Sequence, residues 1–130
     1  MKFAIAIHGA PYASFAHQRG LQLAQTILAE GHELTRIFFY HEAVTVALNS
    51  TVPPQGEVDI TSQWQAFHQQ HNIELAVCIA NALKRGVLST EEQQRYEKSS
   101  GTLSAGFELV GLGQLIDAAS EADRYVEIPA

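Results

Sequence analysis

The sequence predicts an α/β domain of flavodoxin-like type, a parallel sheet of four to five strands with helices on both faces. Three observations predict it. Four short runs, Phe3–Ile7, Leu34–Tyr40, Leu75–Ile79 and Tyr125–Ile128, are apolar at successive positions, as strands buried on both faces must be. Segments of helical period separate them. The resulting alternation of strand and helix is the signature of crossover connections between parallel strands.

The first helix covers residues 15–30, with Leu21, Ala24, Ile27 and Leu28 on one face and Gly31 placed to stop it in the left-handed conformation. Asp59 is placed to cap a second helix, in which Ile60, Trp64, Phe67 and His71 repeat at helical spacing. Leu112, Leu115, Ile116 and Ala119 mark the last helix, and Phe107–Val110 supplies a short fifth strand. For so small a sheet the expected strand order is 2-1-3-4-5. Two connections exceed what such a fold needs, His41 to Val58 and Gly86 to Gly106. In the second, Thr90 and Gln93 have capping-box spacing and predict a short helix through Lys98. Each connection reads equally well as a lid or partner surface and as a solvated excursion.

No repeat or linker divides the 130 residues, so 1–130 reads as a single domain. A composition of 46% hydrophobic and 17% charged residues excludes intrinsic disorder. The net charge of −6 has the wrong sign for direct binding of nucleic acid, where phosphate contacts dominate affinity. One cysteine rules out an internal disulfide or a multi-thiolate zinc site. The absence of any apolar run near ~20 residues argues against a membrane span. Together with a short, weakly charged apolar start, this predicts a soluble cytoplasmic protein.

In an open parallel sheet, ligands bind beyond the carboxyl ends of strands where the order reverses. With the expected order, that crevice lies between the first and third strands. His8, Pro11 and Tyr12 would line it from one side. Cys78, Asn81, Lys84 and Arg85 would line it from the other. The thiolate is the nucleophilic form of cysteine, and a thiol of ordinary acidity is only a few per cent ionised at neutral pH. A helix N-terminus with nearby cations favours the anion. Taken alone, a single cysteine in an apolar run is more often a small buried hydrophobe.

Several short pieces resemble the TusD/DsrE family, the sulfur-accepting subunits of the TusBCD and DsrEFH sulfurtransferase complexes. They are Met1-Lys2-Phe3-Ala4, Pro11-Tyr12, Glu30-Gly31-His32-Glu33-Leu34, Phe38-Phe39-Tyr40, the Cys78 segment with Arg85-Gly86-Val87, Gly111-Leu112-Gly113-Gln114-Leu115 and Ala122-Asp123-Arg124. The resemblance implies a DsrE-like fold and a sulfurtransferase in which Cys78 carries a persulfide. It implies a TusA-like donor and a TusE-like acceptor, leading to 2-thiouridine at the tRNA wobble position. It also implies a heterohexamer with TusB- and TusC-like subunits, and needs no cofactor or metal. DsrE-type handling of sulfane sulfur during sulfur oxidation, or a non-catalytic scaffold role in the same complex, are the alternatives.

The family pattern holds no histidine at the position of His8, so His8 reads as a lining residue that could also donate a proton. Asn81 could donate to sulfur or cap a helix. His68 and His71 have a spacing that suits a metal but no third ligand. Gly111-Leu112-Gly113 lacks the third glycine of a dinucleotide loop and reads as a tight turn. Phe15, Val44, Val46 and Leu48 are candidates for subunit contact or for core.

Overall fold

The computed structural model describes all 130 residues, Met1–Ala130. Five parallel strands form one sheet: β1 (Lys2–Ile7), β2 (Glu33–Phe39), β3 (Glu74–Cys78), β4 (Phe107–Val110) and β5 (Arg124–Ile128). The helices are α1 (Ala16–Ala29), α2 (Ile60–His71), α3 (Ile79–Leu83), α4 (Thr90–Arg95) and α5 (Leu112–Glu121). A 3-10 segment, His41–Ala47, follows β2. No helix is long and apolar enough to cross a membrane.

The strand order is β4-β3-β2-β1-β5, which corrects the expected 2-1-3-4-5. Both orders satisfy the same hydropathy pattern, because pairing is settled by which edges meet rather than by any one strand. The observed order has a direct consequence. Steps from β1 to β2, β3 and β4 all move one way, so right-handed crossovers set α1 and α2 on one face. The return from β4 to the far side of β1 puts α5 on the other. The reversal of order falls between β1 and β5, and β2 separates β1 from β3.

The apolar runs divide accordingly. Ile5, Ile7, Ile37, Phe39, Leu75 and Val77 join the core beneath α1, α2 and the 3-10 segment, whereas Ala4, Ala6, Phe38 and Ala76 face α5. A bulge in β2 interrupts simple alternation. Phe3 pairs with Leu34 but Ile5 with Ile37, and the extra residue brings Arg36 level with Glu74. Helix α1 lies so close to β1 that a Cβ on Gly20 would meet Ile7 Cδ1 at 2.5 Å. Gly31, at φ +84°, follows α1 in the left-handed conformation, and the Asp59 carboxylate accepts from Ser62 N–H at 3.1 Å to cap α2.

Two expectations shift. The α4 cap is Ser89, whose hydroxyl accepts from Glu92 N–H at 3.2 Å, and the helix ends at Arg95 because Glu97 turns left-handed at φ 55°. Val44 and Val46 are core residues, whereas Phe15 is 69% exposed and Leu48 is half-buried.

Candidate functional site

Cys78 ends β3 with an extended backbone, its Cα level with Val110 of β4, and the chain turns directly into α3. One turn on, the Asn81 side-chain amide donates to Cys78 Sγ at 3.1 Å. Asn81 is itself held in place. Its main-chain carbonyl accepts from Arg85 Nη1 at 3.2 Å, and Arg85 Nε and Nη2 both donate to Glu42 Oε1, at 3.0 and 2.6 Å. A continuous polar chain thus runs from the 3-10 segment to the sulfur. The guanidinium hydrogen bonds hold the Glu42 carboxyl below the usual carboxylate range, and the same contact pushes Arg85 up.

This differs from the expected support in three ways. Helix α3 has only five residues. Arg85 turns to Glu42 and to the Asn81 carbonyl instead of the sulfur, and Lys84 is exposed. The sulfur contact that does form is the expected one from the neutral Asn81 amide, which donates a hydrogen bond without an ion pair. Glu42, which sequence reasoning missed, is 43 residues from Arg85 and joins it only because the 3-10 segment packs on α3 and β3.

Cys78 is only 5% exposed, and none of the five principal cavities includes it. The expected open crevice with the Ile7–Tyr12 loop does not form, because β2 stands between its two walls. Tyr12, at φ 68°, turns toward α2, where its hydroxyl donates to Val58 carbonyl at 3.0 Å and accepts from Ile60 N–H at 3.1 Å. Pro11 is half-buried in the same turn.

His8 instead joins an edge cluster beyond β1 and β2. Its ring centroid lies 5.1 Å from His41 and 5.6 Å from Tyr40, and Nε2 lies 3.9 Å from Glu127. Nε2 is buried without a hydrogen-bond partner. Burial lowers the His8 pKa, against a raising effect of Glu127, and His41 lowers it further. His68 Nδ1 lies 2.9 Å from the Ile73 carbonyl, so that ring secures the end of α2.

The chain matches the DsrE/DsrF-like family over residues 1–128. It is 44% identical to a chain named sulfurtransferase TusD homolog from Pseudomonas aeruginosa, over 97% of this chain and 95% of the relative. A relative from Allochromatium vinosum that carries the DsrE name is 38% identical over 97% of each chain. Among solved structures, the crystal structure of the ychN protein from E. coli superposes with a TM-score of 0.77 at 26% identity, covering 98% of both chains. Agreement of sequence and fold along almost the whole length places this chain in the DsrE/DsrF-like family.

Proposed function

We propose that the chain is a sulfurtransferase that carries sulfur as a persulfide on Cys78, within a multi-subunit sulfur relay. The observation that carries this reading is the Asn81 amide aimed at the sulfur of the only cysteine, at the carboxyl end of β3. The likeness to chains named sulfurtransferase TusD supports it.

The step is a thiol exchange without net oxidation. The Cys78 thiolate attacks the outer sulfur of a donor persulfide. The donor's S–S bond breaks as the Cys78 S–S bond forms, the donor leaves as a thiolate, and the proton stays with the transferred sulfur. An acceptor thiolate then attacks that outer sulfur and releases Cys78. No redox partner is consumed. Asn81 donates to the sulfur in its charged states before and after transfer, and Arg85 and Glu42 keep Asn81 in register. Near-complete cover protects a persulfide from solvent thiols, and loading requires that cover to move.

The donor is a TusA-like carrier and the acceptor a TusE-like protein. The end use is 2-thiouridine at the tRNA wobble position, and the setting is a cytoplasmic heterohexamer with TusB- and TusC-like subunits. A second reading keeps the same chemistry at Cys78 in a DsrE-type relay that handles sulfane sulfur during sulfur oxidation; one relative carries the name putative sulfurtransferase DsrE. Intact-protein mass spectrometry after incubation with a persulfidated carrier tests the reading. One sulfur is gained, dithiothreitol removes it, and Cys78→Ser abolishes it, while Asn81→Ala slows the gain. An unchanged mass with carrier and partner subunits present defeats it. Normal sulfur flow through Cys78→Ser would establish a scaffold instead.

A further inference from the structure

The largest cavity lies beside α3, away from the histidine edge. It measures about 800 Å³, against 260 to 470 Å³ for the other principal cavities. Leu83, Leu88 and Tyr96 supply its apolar surface, Lys84 and Lys98 its charge, and Ser99 one of its hydroxyls. Each of the other four is lined by at least one carboxylate, from Glu57, Glu121, Glu91 or Glu127; this one has none. Neither lysine is in an ion pair, since the pairs use His8, Arg36, Arg85 and Arg95. Lys84 also acts on the Glu42 carboxylate, and on a chain of net charge −6 the two lysines together offer an anionic partner attraction here.

The walls are already built. Leu88 N–H donates to Thr102 Oγ1 at 2.9 Å, and the Leu88 carbonyl accepts from Thr102 and Leu103 N–H at 2.8 and 3.0 Å. Lys98 N–H donates to the Gln93 carbonyl at 2.9 Å. A preformed wall lowers the ordering cost of binding. The cavity is also near the chemistry, because α3 begins next to Cys78 and its last residue, Leu83, lines the cavity. Five residues of helix span roughly 7.5 Å.

The geometry points to a docking site for a peptide segment bearing carboxylates and aliphatic side chains, on the protein that exchanges sulfur with Cys78. This rests on the relay reading above. A small inorganic anion would leave the Leu83, Leu88 and Tyr96 surface unmatched, whereas a peptide uses both the apolar and the charged walls.

The probe is a blocked hexapeptide alternating glutamate and leucine, with a glutamine–leucine peptide as control, titrated into the full-length chain and followed by amide NMR shifts. Shifts should centre on residues 83–88 and 96–102. The control should bind at least about tenfold more weakly, and so should the glutamate peptide to K84E/K98E, about 1.4 kcal/mol by the affinity relation. K84R/K98R should bind as the parent does, and thermal unfolding should confirm that both variants fold. Equal binding of the two peptides, shifts centred elsewhere, or unchanged affinity in K84E/K98E overturns the proposal. Loading by the persulfidated carrier with the partner subunits present, read by intact mass, separates the two claims. Loading without peptide binding removes the docking site and leaves the relay. Peptide binding without loading removes the relay, and with it the sulfur-exchanging partner.

Discussion

On one face of the sheet 22 buried residues pack beneath α1, α2 and the 3-10 segment, whereas on the other six pack beneath α5. The thick face is filled by large side chains, with Phe39, Trp64 and Phe67 in edge-on contact. It also buries a polar pair. The His17 Nε2–H donates to the Gly9 carbonyl at 2.8 Å, and Nδ1 accepts from Trp64 Nε1–H at 3.1 Å. Indole only donates and a carbonyl only accepts, so the neutral tautomer is dictated. The thin face is lined by Ala4, Ala6 and Ala76, and its polar contacts are half-exposed: Arg36 pairs with Glu74 at 3.0 Å and donates to Gln114 at 3.2 Å. The contrast teaches that stability and the candidate site share the thick face, where Cys78 joins the larger cluster.

Four measurements sharpen that contrast. Trp64→Ala should cost about 3–5 kcal/mol in denaturant unfolding, because it opens a cavity and strips His17 Nδ1 of its donor. A loss below about 1 kcal/mol would mean the thick face does not dominate.

The next effect is acid lability. Burial lowers the His17 pKa from 6.5 to about 4, and protonation would set an N–H against the Trp64 donor. The unfolded chain therefore binds this proton first. Stability from His17 is complete above pH 6.5 and drains away as pH falls toward 4, by about 3 kcal/mol at the limit. His17→Gln should flatten this limb of the stability–pH curve, and an unchanged limb would assign it to other groups. Glu74, on the thin face, acts oppositely. Burial raises its pKa, so its contribution is present below the unfolded value and is lost as pH rises through the folded one.

On the thin face, Leu115→Ala removes a half-buried side chain and should cost roughly 1–2 kcal/mol. A cost matching Trp64→Ala would erase the asymmetry. Smallest of all, Ile116→Gln at a position 61% exposed should change stability by less than about 0.5 kcal/mol in the isolated chain.

Much of this was legible in residue order. The five strands, the start of α2 at Asp59 and the stop at Gly31 are local properties, decided by hydropathy period and by backbone preferences of single residues. The placing of Cys78 at a strand end before a helix was legible for the same reason, and so was Asn81 three residues on. What misled was the partner across the crevice. His8, Pro11 and Tyr12 join the cysteine's site only under the expected strand order, and no hydropathy pattern records which strand edges pair.

The linear chain by itself determined an alternating α/β domain whose single thiol ends a strand, because those features depend on neighbours within a turn or two. Tertiary structure alone decided that β2 would stand between His8 and Cys78. It alone closed the sulfur over, brought Glu42 to Arg85 across 43 residues, and gathered Lys84 and Lys98 into one cavity. These depend on contacts between distant segments, and such contacts exist only once the whole sheet has formed.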